Sequence, residues 1–222
     1  MDKIITKVYS RVNGVLDVEV AGYGRIRIKE SSLLDDVDKI CKDRYTKWIE
    51  GKSSEGATDT VEKVKYGEQY TKVDGKKVLK PNVEYTTNEG YKHKTDNMGA
   101  IDEVEGTLKL RDGKRSLYAQ RTAGGDYRLA DDDGGHLIGS QFLGSGKLDN
   151  LVPMNSQINR AGRKWYNMET EWANALKEGK DVQVKIQNIY ESNNLRPVSF
   201  KIKYTIEGEK TKIIKILNKS GG

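Results

Sequence analysis

The sequence predicts an α+β fold: an antiparallel sheet with one long helix, preceded by a small N-terminal β-β-α segment. Three observations predict it. Short runs of alternating apolar and polar residues recur near both ends of the chain, glycine-centred turn signals separate those runs in pairs, and one stretch in the second half switches to helical spacing. At 222 residues the chain can hold one large domain with an appendage, divided here into residues 1–55 and 56–222.

Residues 1–30 read as two strands. Leu16, Val18 and Val20 alternate with Asp17 and Glu19, Ile26 and Ile28 alternate with Arg25, Arg27 and Lys29, and Gly22-Tyr23-Gly24 turns between them. Ser31 or Ser32 caps a helix whose apolar face carries Leu33, Val37, Ile40, Tyr45 and Trp48 and which Gly51 ends. Small and polar residues over 51–60 mark a linker. Asp74-Gly75 and Asn88-Glu89-Gly90 each predict a hairpin turn between short strands. Leu108-Lys109-Leu110 and Ser116-Leu117-Tyr118-Ala119-Gln120 read as further strands, Leu137-Ile138 as a buried strand, and residues 148–154 as its neighbour. Ile158, Trp165, Met168, Trp172, Ala175 and Leu176 then predict one helix over 156–178, closed by Gly179. Residues 182–186 and 199–206 alternate again, and the second run turns through Glu207-Gly208-Glu209 onto a strand over 213–217. Lysines on these last strands protect an edge or line a phosphate groove.

Lys and Arg exceed Asp and Glu by six, and the pI is ≈ 9.1. That balance suits a polyanionic partner, because neutralising phosphates releases counterions. A single cysteine, Cys41, excludes an internal disulfide. No apolar run approaches the length of a membrane span, and Met1 is not followed by a signal-peptide pattern; if the protein is exported, this sequence does not carry the address, and both a whole chain and a fragment of a longer one are compatible with it.

Chemistry concentrates in one region. Asp131-Asp132-Asp133-Gly134-Gly135-His136-Leu137-Ile138-Gly139 holds one of only two histidines. Asn150-Leu151-Val152-Pro153, Asn159 and Glu169 follow it. A histidine, asparagines and a glutamate in that order suggest a general base beside a metal site. The other histidine, His93, alternates with lysines on a strand and is assigned no catalytic role.

These residues resemble the DNA/RNA non-specific endonucleases, which carry a ββα-metal finger, and in particular the branch found as toxin domains of bacterial secreted polymorphic toxins, including type VII-secreted ones. The resemblance spans about residues 80–218; Pro81 to Tyr85, Tyr91, Thr95-Asp96 and Gly99 are similar to that branch's entry strands, although Ala100 stands where an arginine is usual. It implies His136 as general base, Asn159 as the metal-binding asparagine, Glu169 as the acid supporting the metal's water shell, Asn150 as a residue shaping the site, and Asp133 as a support for the loop. The metal implied is Mg²⁺ or Mn²⁺. Pro153-Met154 replaces the family's Pro-Gln, a change of packing only, and Gly134 stands where the wider family has an arginine. Another arginine must then hold the phosphate: Arg121 first, then Arg163, if the helix is continuous, and Arg128. The function implied is a metal-dependent endonuclease acting on DNA, with RNA as the other substrate, secreted as an antibacterial toxin into a target-cell cytoplasm and held inactive in the producer by an immunity protein. The rival is a basic nucleic-acid-binding module with an incomplete site.

Overall fold

The computed structural model describes the backbone of three N-terminal strands and residues 61–222 apart from 74, 112, 114, 115, 192 and 193. The chain divides into two compact units, Met1–Thr60 and Val61–Gly222. In the first, β1 (Ile5–Val12), β2 (Val15–Val20) and β3 (Gly24–Lys29) form an antiparallel sheet in that order. Two of these strands match the alternation; β1 was not expected. The expected helix and linker over 31–60 lie outside the described residues.

The second unit is built on a seven-stranded sheet. It contains β4 (Glu62–Lys63), β7 (Val83–Thr86), β8 (Lys92–Thr95), β9 (Ile101–Thr107), β12 (Val182–Ile189), β13 (Ser199–Ile206) and β14 (Lys212–Leu217), in the order β14-β13-β12-β9-β8-β7-β4. All its pairs are antiparallel except β4 with β7. Both predicted hairpins are present: β5 (Tyr70–Val73) pairs with β6 (Lys76–Leu79), and β7 with β8. Along β12, Val182, Val184 and Ile186 are buried while the residues between them are not, which is the one-face-in pattern of a half-covered antiparallel sheet.

A helix covers the inner face. α3 (Lys164–Lys177) buries Trp165, Met168, Trp172, Ala173 and Ala175. Trp165 meets Phe200 edge-on at 5.0 Å between ring centroids, and Trp172 meets Tyr204 at 5.4 Å. Edge-to-face contacts of this kind fix an aromatic core more tightly than area alone. Against this layer lies a two-stranded ribbon, β10 (Asp132–His136) and β11 (Leu151–Asn155), which runs into α2 (Ser156–Asn159) and then α3. Strand, loop, strand and helix occur in the order a ββα finger requires.

The strand expected over 148–154 is shortened to Leu151–Asn155, because Leu148–Asn150 is a 3-10 turn, and four further local expectations fail. Residues 116–120 are not a strand: α1 is a helix, Leu117–Thr122, whose N-cap Ser116 accepts a hydrogen bond from the Ala119 amide. Over five residues the alternation was too short to separate from helix, and the Ser cap decides it. Leu108-Lys109-Leu110 lies beyond the end of β9; the Leu108 amide still bonds to the Val182 carbonyl, after which pairing stops. Leu137-Ile138 is buried but follows the strand, which is the acid-glycine run itself. Finally, the helix over 156–178 is broken. Gly162 takes φ +76, and residues 160–163 separate α2 from α3. A left-handed residue cannot continue a right-handed helix.

Candidate active site

The run Asp131-Asp132-Asp133 is composed like a turn, yet its last two residues open a strand because each acid meets a different partner. Asn155 donates to Asp131 Oδ2 at 2.6 Å. Arg196 forks onto the fully buried Asp132 carboxylate, Nε to Oδ2 at 2.7 Å and Nη2 to Oδ1 at 2.8 Å. Arg160 forks onto Asp133, Nε to Oδ2 at 3.1 Å and Nη2 to Oδ1 at 2.9 Å. Bidentate arginine–carboxylate pairs fix direction as well as distance. Partial burial raises the Asp133 carboxyl, but hydrogen bonds from Arg160 and Asn159 outweigh it and hold the group below the usual carboxylate range.

Asn218 closes the other side of the ribbon. Its Oδ1 accepts from the Asn155 amide, and its Nδ2 donates to the carbonyls of Pro153 and Pro197. Asn150 is buried and fully used: its Oδ1 accepts from the Ile138 amide at 2.9 Å, and its Nδ2 donates to the carbonyls of Ile138 and Ser145. The amide therefore locks the chain immediately after His136. Asn150 itself does not line the cleft that holds His136.

The glycines are needed for close approach. A Cβ at Gly134 would lie 2.6 Å from the Gln120 Cα, and one at Gly135 would lie 2.6 Å from the Met154 Cβ. The backbone of α1 therefore rests directly on Gly134, and Met154 packs on Gly135. A Cβ at Gly139 would lie 2.5 Å from Glu169 Oε1, so the loop after His136 runs tight against that carboxylate.

The result is a cleft of about 520 Å³ that gathers His136 from the end of β10, Asn159 from the end of α2 and Glu169 from α3. Asp133, Arg121 and Arg128 line it too. Asn159 donates through Nδ2 to Asp133 Oδ2 at 3.1 Å. That bond turns the opposite branch of the planar amide, its carbonyl oxygen, away from the carboxylate. The helix break leaves Asn159 and Glu169 on separate helices, so they meet through the turn over 160–163 rather than along one face. Of the arginines, Arg163 is the residue preceding α3 and does not line the cleft. Arg128 is bound into the wall: Nη1 donates to the carbonyls of Gln120 and Arg121, and Nη2 to that of Asp132. Arg121 remains the exposed guanidinium on the cleft. The lysines of β12–β14 do not line it; Lys92, Lys185 and Lys203 line a separate groove of about 480 Å³.

The sequence reading did not single out Arg160, Arg196 or Asn218. Arg196 lies 64 residues from its partner Asp132 and Asn218 lies 63 from Asn155, with no local pattern to mark either. Arg160 has one local signal, its place next to Asn159.

The profile of the DNA/RNA non-specific endonucleases matches residues 81–208, more than half the chain. The chain belongs to that family. As an endonuclease-family domain it is 48% identical over 162 residues to the type VII secretion system protein EssD of Staphylococcus aureus (strain USA300), with the same identity to EssD of strain NCTC 8325. The match takes in 71% of this chain and 26% of EssD, so the chain spans about a quarter of the length of these relatives. The endonuclease fold is also that of NucA from Streptococcus agalactiae, solved with magnesium ion bound: TM-score 0.50, 18% identity, covering 67% of this chain and 82% of NucA. No helix among the described residues is long and apolar enough to cross a membrane.

Proposed function

We propose that residues 56–222 form a metal-dependent endonuclease that hydrolyses phosphodiester bonds without sequence preference, DNA first and RNA second. The observation that carries this reading is the meeting of His136, Asn159 and Glu169 in one cleft, from three different elements. That convergence disfavours the rival of a binding module with an incomplete site.

The donor set fits a hard divalent cation. Among the described residues no group of three His, Cys, Asp or Glu side chains could cage a metal. The Asp133 carboxylate in the cleft is taken by Arg160 and Asn159, which leaves the amide oxygen of Asn159 and the carboxylate of Glu169 as donors, the sparse oxygen set of Mg²⁺ or Mn²⁺. The magnesium ion bound in NucA supports the same choice. When bound, the cation would neutralise phosphate charge and stabilise the leaving oxygen. The chain's own residues do the rest. His136 takes the proton of the attacking water, Arg121 engages the phosphate oxygens, and Asp133 holds the Asn159 amide in orientation. The similarity to EssD, a type VII secretion system protein, supports a secreted role; the resemblance to the toxin branch extends this to an antibacterial toxin domain that acts in the cytoplasm of a target cell, with an immunity protein keeping it inactive in the producer.

Incubation with supercoiled plasmid tests the reading. Nicking is expected with Mg²⁺, none with excess chelator, and a loss of about 10²–10⁴-fold for His136→Ala with nucleic-acid binding retained. Full cleavage in chelator, or by His136→Ala, overturns it.

A further inference from the structure

Exposed large apolar side chains occur at several places on the second unit, but among the described residues the three exposed tyrosines and two of the exposed leucines fall together. Tyr118, Leu117, Leu129, Tyr127 and Tyr166 all belong to the segment that leads into β10 or to the first turn of α3. Two of them, Leu117 (66% exposed) and Tyr166 (44% exposed), line the active cleft itself. An apolar patch left in water beside polar chemistry marks a surface that something covers.

The two walls share one design. On α1, Leu117 lies four residues before Arg121; on α3, Tyr166 lies three residues before Glu169. Residues three and four apart on a helix share a face, with Cβ atoms roughly 5–6 Å apart. Each wall therefore sets an exposed apolar group one helical turn from a charged group that handles the phosphate or its cation. A nucleic-acid strand has the matching repeat, a flat apolar base beside each phosphate. At about 520 Å³ the cleft has the scale of a single small group. A duplex hides its base faces in the stack, whereas an unpaired base offers one.

Resting on the endonuclease reading, we propose that Tyr166 and Leu117 form a stacking subsite for an unpaired base next to the scissile phosphate, which makes single-stranded or locally melted nucleic acid the favoured substrate. Tyr166 supplies the ring face and Leu117 the opposing apolar surface. Stacking on an aromatic side chain tolerates any base, so the subsite selects strandedness and leaves sequence unread.

The test uses the full chain, Mg²⁺ and one end-labelled oligonucleotide, presented single-stranded, in duplex, and with a single abasic position. The wild type should cleave the single strand faster than the duplex and avoid the phosphate beside the abasic position. Tyr166→Ala should lower the single-strand-to-duplex ratio of kcat/KM by about 5- to 100-fold, the range of one lost base–aromatic stack, and cleave beside the abasic position without bias. Tyr166→Phe should keep both properties, because the ring and not the hydroxyl makes the contact. Leu117→Ser, on the other wall, should lower the same ratio, which keeps the proposal testable should Tyr166→Ala fold poorly. Equal cleavage of both strand forms by the wild type, or loss of activity in Tyr166→Ala by the same factor on both, overturns the subsite and leaves the patch to a protein partner. If the wild type cleaves no substrate at all, the endonuclease reading itself fails.

Discussion

The guanidinium that Gly134 lacks must be supplied elsewhere, and the cleft discriminates among the candidates by what each already does. Arg128 donates to three backbone carbonyls, so its fork is consumed in tying α1 to β10. Arg163 lies outside the cleft, and Arg121 lines it from an exposed position. Arg121→Lys should therefore lose roughly a hundredfold in turnover, the scale of removing one charge-stabilising donor, with little change in binding at fixed salt. Arg128→Lys should instead lower the thermal midpoint, because an ammonium cannot bridge three carbonyls held by a planar fork. Arg163→Lys should leave turnover near wild type. Single-turnover kinetics and thermal melts on the three variants separate these outcomes. An unaltered Arg121→Lys would remove that residue from the phosphate.

At the level of elements, the same glycine explains why the arginine cannot simply be restored. Any side chain at Gly134 meets the Gln120 backbone, and α1 carries both Arg121 and the Leu117 wall. Gly134→Arg should thus displace α1 and lower activity about tenfold or more, the scale of a small misplacement of positioning groups. Activity equal to or above wild type would show that α1 can move away at no cost. This coupling was hidden in the sequence for a physical reason. The family resemblance singled out His136, Asn159 and Glu169, which line one cleft, and the sheet strands were legible because alternation is local. The helical state of residues 116–120 depends on a Ser116 cap within a segment too short for a period. The break at Gly162 lay inside a pattern of apolar residues that continues on either side of it. The strand made by Asp132 to His136 depends on Arg196 and Arg160, and the former arrives from a distant loop that no local pattern announces.

Across the molecule, charge and acid stability divide between regions. Residues 1–60 contain 11 basic and 11 acidic side chains, so the whole net charge of +6 belongs to the endonuclease unit. Within that unit a buried polar cluster joins the sheet to the loop that positions His136. Gln69 Nε2 donates to Asp149 Oδ2 at 3.0 Å, Ser145 donates to Oδ1 at 2.7 Å, and Tyr85 donates to the Asp149 carbonyl. His93, on β8, stacks on Tyr85 at 5.1 Å and is almost fully buried. The groups facing the cluster are Tyr66, Tyr70, Tyr85 and Asp149. Burial pulls the His93 imidazole down from 6.5 to about 4, and the Asp149 carboxylate only partly opposes it. The unfolded chain thus binds the proton more tightly than the folded one. The His93 contribution to stability is complete above about pH 6.5 and is lost as pH drops towards 4, by up to about 1.4 kcal/mol per unit. Chemical denaturation between pH 7 and 4.5 should show that slope in a His136→Ala background, where His93 is the chain's only remaining histidine. Adding His93→Gln should destabilise the protein at pH 7 through the lost stack, yet flatten the slope. A slope that survives His93→Gln would assign the acid sensitivity to other groups and leave the buried imidazole without a part in it.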